Sequence, residues 1–171
     1  MNEALENTTE KEDGGESQEL LTFLLAGEEY GVDILRVQEI KGWDKVTNIP
    51  NTPEYIRGVI NLRGTIAPII DMRLRFNLQA KEYDATTVVI VLNAKSQDKP
   101  DRTMGVIVDA VSDVYNVPTK DIKPSPDFGT AVDTEFVTGL ATVGDTMVIV
   151  LDIDHMLNAA ELAVLDTITD E

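Results

Sequence analysis

The chain has 171 residues, 43% of them hydrophobic, and a formal net charge of −17 at neutral pH, enough apolar material for one good core or two small ones. It holds no cysteine, which excludes disulfides, thiol catalysis and cysteine-ligated metals. With no basic stripe to neutralise phosphates, neither nucleic acid nor an anionic membrane surface is an expected direct partner.

The acidity is uneven. Residues 1–20 carry seven acids and one lysine, and residues 159–171 carry four acids and no base, leaving −7 for the stretch between. Residues 1–19, polar, acidic and containing Gly14-Gly15, are expected to be a disordered tail. They lack the basic-then-apolar order of a secretory signal, so a cytoplasmic location is expected. Structure is expected to begin at the strand-like run Leu20–Leu25, turn at Ala26-Gly27-Glu28-Glu29 and return through Tyr30-Gly31-Val32. Short β-rich segments punctuated by Gly, Pro, Asn and Asp follow, a spacing that predicts small barrels and disfavours βαβ units. The longest apolar runs, Val88–Leu92 and Met147–Leu151, have strand length and fall far short of a membrane span. One longer helix is predicted over Asp154–Ile168, with Leu157, Leu162, Leu165 and Ile168 on its apolar side. The folded domain is therefore expected over residues 20–157, with the rest of the helix and an acidic tail in 158–171.

The sequence repeats itself within blocks 31–72 and 105–153. Thr52–Met72 laid over Asp133–Ile153, an offset of 81, matches Glu54, Gly58, Thr65 and Asp71 with Glu135, Gly139, Thr146 and Asp152. Ten further positions pair apolar with apolar, so 14 of 21 agree in kind. Gly31–Ile40 over Gly105–Val114, an offset of 74, matches two Val and one Gly and pairs Glu39 with Asp113. Thr52 and Asp133 read as N-caps, and Gly58 and Gly139 as left-handed ends of a short helical turn. Hairpins centred on Arg63-Gly64 and Gly144-Asp145 then follow. Two pseudo-symmetric β-barrel halves of four or five strands fit this pattern and leave no exposed sheet edge.

Shared positions explain folding, so function is sought where the copies differ. Arg57-Gly58-Val59-Ile60-Asn61-Leu62-Arg63-Gly64 in the first copy becomes Thr138-Gly139-Leu140-Ala141-Thr142-Val143-Gly144-Asp145 in the second. Arginines at a hairpin tip are candidates for a specific ionic contact with a carboxylate; alternatively they balance local acids such as Glu39 or Glu54. Trp43 reads equally as core or interface.

Catalytic readings have little to stand on. His155, the single histidine, sits at a predicted helix start where a phosphotransfer histidine is not expected. Asp152 and Asp154 lack calcium-loop spacing. The acid pairs Glu39/Asp113 and Asp71/Asp152 could serve a carboxylate-based hydrolase, yet each arises from the repeat, and Asp71 and Asp152 read better as acceptors for backbone N–H groups near strand ends. No phosphate loop or nucleophile elbow is present. A small-ligand-binding barrel stays open as an alternative, although barrels this small usually fill with side chains. No cofactor and no metal are expected.

Several segments carry a family resemblance. Tyr30–Ile40, Asn51-Thr52-Pro53, Arg57–Gly64, Pro68-Ile69-Ile70-Asp71, Gly105–Asp109, Val111–Val114 and Thr138-Gly139-Leu140 resemble, in order, the CheW family of chemotaxis coupling proteins. The likeness spans roughly residues 19–165. It implies a mainly β fold of two intertwined, five-stranded SH3-like barrels with short helical turns and a C-terminal helix. It also implies a non-catalytic adaptor that links the cytoplasmic tips of transmembrane chemoreceptors to the regulatory domain of the histidine kinase CheA in a membrane-associated array. Membrane contact would then be only indirect, through receptors. Carried over by position, the resemblance makes Glu39 and Arg63 a sensitive charged pair on the receptor-facing surface, with Val37, Ile40, Gly58 and Asn61 around them. Phe128 resembles an aromatic position used in kinase contact. The Lys95–Arg102 loop and the acidic N-terminal tail look less typical of the family.

Overall fold

Two-residue turns set the hairpins. The computed structural model describes residues 16–95, 101–124 and 136–157, and in it β1 (Ser17–Leu25) turns into β2 (Glu28–Asp33) through Ala26-Gly27, with φ of 51° and 85°. β4 (Ile56–Leu62) turns into β5 (Thr65–Asp71) through Arg63-Gly64, with φ of 51° and 94°. Positive φ at both central residues is the I′ geometry whose twist matches the flanking strands. β9 (Val137–Val143) and β10 (Thr146–Leu151) join through Gly144-Asp145, with Gly144 at φ 61°. The other strands are β3 (Val37–Gly42), β6 (Val88–Ala94), β7 (Arg102–Val108) and β8 (Ala110–Pro118). Two short helical turns, α1 (Met72–Arg75) and α2 (Ile153–Leu157), follow β5 and β10.

The strands form two five-stranded sheets, β8-β1-β2-β10-β9 and β3-β6-β7-β5-β4. Position by position these are the same sheet built twice, and the pairing is exchanged. The first copy, β1–β5, leaves β1 and β2 in the first sheet and sends β3–β5 to the second. The second copy, β6–β10, leaves β6 and β7 in the second sheet and sends β8–β10 back. The exchanged strands dock in parallel, β10 on β2 and β5 on β7. The intertwining expected from the family resemblance is thus realised as reciprocal strand exchange.

Each sheet curls until its edges meet. Beyond β3, Thr47 bridges Val59 of β4, and beyond β8, Lys123 bridges Leu140 of β9. The bridges explain Gly58 and Gly139 differently from the expectation. Neither glycine ends a helix; both lie inside strands, and a Cβ on either would come within 2.3 Å of the bridging carbonyl, that of Thr47 or of Lys123. Close backbone approach is what requires glycine here. Gly58 also has φ +147°, at a bulge in the β4–β5 register. The helical turn expected between Thr52 and Gly58 does not form: residues 51–55 hold turns and a bend, and β4 already begins at Ile56.

Central strands are buried on both faces, which is why they read as unbroken apolar runs. Along β6, Val89 and Val91 point into the second barrel with Leu62, Ala67, Ile69 and Ile107, while Ile90, Leu92 and Ala94 point between the barrels. There they join Leu21, Phe23 and Leu25 of β1 and Tyr30 and Val32 of β2 in a core shared by both barrels. A smaller cluster, Leu20, Val117, Ala141 and Val150, fills the first barrel. Where β1 and β8 lose register, the fully buried Thr22 mends the ladder: its hydroxyl donates to the Asp113 carbonyl and accepts the Asp113 N–H, both at 3.1 Å.

The boundaries differ from expectation at both ends. β1 begins at Ser17, three residues before the apolar run, because Ser17, Gln18 and Glu19 pair with Pro118, Val117 and Asn116. Edge pairing needs backbone groups and no apolar side chain, so hydropathy misses it. The C-terminal helix starts at Ile153, with Asp152 Oδ1 accepting the His155 N–H at 3.0 Å; its expected continuation to Ile168 lies outside the described residues, as do residues 1–15.

Candidate functional surface at the second barrel

Glu39 and Arg63 arrive at one corner from different elements. Glu39 lies opposite Val91 in β3, on the side that faces the barrel interior. The β4–β5 turn carries Arg63 round to it, where Arg63 Nη2 stands 3.5 Å from Glu39 Oε1. Glu39 is 29% exposed and Arg63 72%. A long, mostly solvated pair of this kind contributes about 0–1 kcal/mol, so it holds the corner lightly and leaves the guanidinium fork directed at solvent.

The surrounding residues divide between surface and scaffold. Asn61 Oδ1 accepts the Gly64 N–H at 2.7 Å, which pins the turn that presents Arg63. Gly58 closes the barrel behind it. Val37 packs on the shared core, whereas Ile40 is 43% exposed. Ile66, opposite Asn61 across the hairpin, is 42% exposed. Sequence reading missed Ile66 because it sits in an apolar run that looks wholly buried; the Asn61 opposite it was the signal that this register position faces water. Leu35, in the turn before β3, is the most exposed large apolar residue described, at 81%. Phe128 lies outside the described residues.

The repeat places counterparts on the first barrel. Val114 stands where Ile40 stands, and Met147 where Ile66 stands, and they are 45% and 55% exposed. The apolar positions recur, and the Glu39 carboxylate recurs as Asp113, but the cation does not: Arg63-Gly64 becomes Gly144-Asp145.

Arg57 is exposed and lines an open groove with Trp43, Glu54, Asp71, Leu74 and Tyr83. Trp43 belongs to the core side of its two readings: it packs on the second-barrel cluster, and its ring centroid is 4.4 Å from that of Tyr83. The Tyr83 hydroxyl donates to Asp71 Oδ2 at 2.5 Å. Burial, then that bond to a carboxylate, push the phenol well above its ordinary value, so it remains a neutral donor.

Each member of the acid pairs has a local partner. Asp71 Oδ1 accepts the Leu74 N–H at 3.2 Å and caps α1, as Asp152 caps α2. Glu39 and Asp113 sit in different barrels, each with a local partner: Arg63 for the first, and for the second the Val114 N–H, 2.7 Å from Asp113 Oδ1. His155 sets its ring edge-on to Phe136, with centroids 5.4 Å apart. Among the described residues no cluster of three or more His, Cys, Asp or Glu could hold a metal, and no helix is long and apolar enough to cross a membrane.

Residues 19–161 match the family profile described as a CheW-like domain. The chain belongs to the CheW-like family. It is 49% identical over 151 residues to the chemotaxis protein CheW of Klebsiella aerogenes, covering 88% of both chains. With the chemotaxis protein CheW of Rhizobium meliloti it shares 36% identity over 144 residues, 84% of this chain and 90% of that one. The crystal structure of the scaffolding protein TtCheW from Thermoanaerobacter tengcongensis superposes with a TM-score of 0.74 at 34% identity, covering 85% of this chain and 91% of that one. As a CheW-like protein the chain is a chemotaxis coupling adaptor, and the exchanged barrels are its SH3-like fold. The hydrolase and ligand-barrel alternatives gain nothing from these relatives or from the geometry.

Proposed function

We propose that the chain joins the cytoplasmic tips of chemoreceptors to the regulatory domain of the histidine kinase CheA, on the cytoplasmic side of a membrane-associated array and without any catalytic step. One observation carries this reading: the two barrels repeat an exposed apolar pair, Ile40 and Ile66 against Val114 and Met147, but only the second barrel sets an arginine at the hairpin tip beside it. Repeated apolar anchors suit protein partners, which bury a few such side chains inside a polar rim. Different rims select different partners, since charge sets specificity and orientation more than affinity.

On this reading the receptor meets the second barrel at Ile40 and Val37, beside the Glu39–Arg63 pair. Arg63, weakly held by Glu39, exchanges that carboxylate for one on the receptor. Asn61 positions Arg63 through the turn, and Gly58 acts indirectly by keeping the barrel shut. The kinase contact uses the other barrel, together with Phe128.

The test is assembly of the ternary complex from purified receptor cytoplasmic fragments, CheA and this chain, read by co-sedimentation and kinase activation. Arg63→Glu is expected to keep the fold and weaken receptor coupling, and Arg63→Glu with Glu39→Arg to recover part of it. Wild-type assembly and activation by Arg63→Glu would refute the assignment.

A further inference from the structure

Both connections between the barrels carry an ion pair at matching places. Past β5, Arg73 of α1 donates through Nε and Nη2 to Asp109 Oδ1 and Oδ2 at 2.9 and 2.7 Å. Asp109 Oδ2 also accepts the N–H of Ala26, the first residue beyond β1, at 2.9 Å. Past β10, Asp154 Oδ2 of α2 accepts from Arg36 Nη2 at 2.8 Å. Its Oδ1 accepts the N–H of Lys95, the first residue beyond β6, at 2.8 Å. Both pairs are largely shielded, at 15% and 19% exposure for the first and 24% and 35% for the second.

The repeat sets these clamps at corresponding corners, with Asp109 and Arg36 one position out of register, since the offset of 74 pairs Arg36 with Ala110. Arg73 and Asp154 are equivalent at the offset of 81, Ala26 and Lys95 follow equivalent strands, and Asp109 and Arg36 lie on the connections into the equivalent strands β8 and β3. In each clamp a carboxylate holds one arginine and one strand-end N–H. The polarity is reversed: the helical turn supplies the cation in the first clamp and the anion in the second.

Strand exchange gives the reversal a consequence. In the observed fold, α1 of the first copy meets the connection of the second copy, and α2 of the second meets the connection of the first. Were each copy to close on itself, α1 would meet its own connection and set Arg73 against Arg36, while α2 would set Asp154 against Asp109. Like charges would then face each other in both shielded corners. We infer that the reversed clamps are a pairing device, which selects the exchanged arrangement of the two copies over the self-closed one. The short connections, a single residue between β7 and β8, already resist folding back, and the clamps add discrimination by charge.

The full-length chain tests this with double variants that both preserve the net charge of −17. R73D/D109R reverses one clamp into the polarity that the other clamp already displays, and is expected to unfold near the wild-type temperature. R73D/D154R has the same composition but places like charges in both clamps, and is expected to melt lower by roughly 10 °C or to fail to fold. Adding R36D and D109R to R73D/D154R restores opposite charges everywhere and is expected to recover most of that loss. The inference is overturned if R73D/D154R melts with the wild type, if R73D/D109R falls as far as R73D/D154R, or if the fourfold variant recovers nothing.

Discussion

Replacing Gly58 with alanine forces a methyl group into the bridge that closes the second barrel. The new Cβ would stand 2.3 Å from the Thr47 carbonyl oxygen and 2.9 Å from both the Thr47 carbonyl carbon and Val46 Cγ2. Two of these are backbone atoms that cannot swing aside, so overpacking costs about 1–3 kcal/mol. The backbone at φ +147° adds about 1 kcal/mol or more for a residue with a side chain. If relief comes by opening the bridge, the hydrogen bonds Thr47 N–H to Val59 O at 3.0 Å and Val59 N–H to Thr47 O at 2.9 Å are lost instead, about 1 kcal/mol each. By either route the loss is about 3 kcal/mol, a fall in Tm of roughly 6–12 °C for a chain of this size. Gly139→Ala is the internal control: its clash with the Lys123 carbonyl is equally close, but without the positive φ, so it should cost less by the backbone contribution. Thermal unfolding followed by circular dichroism measures both. A Gly58→Ala protein that melts within a degree or so of the wild type, or below which Gly139→Ala falls, would show that the bridge does not set the closure.

Asn61→Ala removes the acceptor for the Gly64 N–H at an exposed turn, so it should lower stability by only about 1 kcal/mol while weakening receptor coupling as Arg63→Glu does; urea melts and the assembly assay separate these effects. At acid pH, burial opposes ionisation of Asp109, yet the Arg73 guanidinium and the Ala26 N–H hold its carboxyl below the ordinary range. Its contribution is therefore present above the unfolded value near 4 and disappears as pH falls through the lower folded value, and Asp109→Asn should flatten the acid limb of a stability–pH curve. Tyr83 behaves oppositely. Its raised phenol contributes fully below the unfolded value near 10 and loses that contribution as pH rises further, so Tyr83→Phe should reduce alkaline destabilisation measured by urea titration.

The amino-acid pattern exposed the repeat, the hairpin turns and the capping carboxylates because each depends on residues close in the chain. Arg63-Gly64 and Asp71 could be assigned from local chemistry alone. Gly58 could not, since its constraint is the Thr47 carbonyl, which arrives from beyond β3 and leaves no local trace. The same holds for Ser17–Glu19, held by backbone pairing to β8, and for the Arg73–Asp109 and Arg36–Asp154 pairs, whose members are 36 and 118 residues apart. Glu39 and Arg63 stand 3.5 Å apart across 24 residues of chain, a proximity that spacing alone does not give.

The exchanged topology also bears on how an adaptor transmits. Had the barrels been independent beads, two partners bound to them would be tethered with free relative motion. Here each barrel is built from strands of both copies, and the largest buried cluster draws Phe23, Leu25 and Tyr30 from one barrel and Ile90, Leu92 and Val106 from the other. Phe23 stacks on Tyr30 with centroids 5.9 Å apart, and Tyr30 meets Phe76 at 5.8 Å. Across the same seam the Arg75 guanidinium sits 5.3 Å from the Tyr55 ring and 4.7 Å from the Phe136 ring, which are equivalent positions of the two copies. A close-packed interior transmits displacement because it cannot be compressed. On the proposed reading, partners bound at the two barrels are therefore held in one relative orientation by a core that both barrels share.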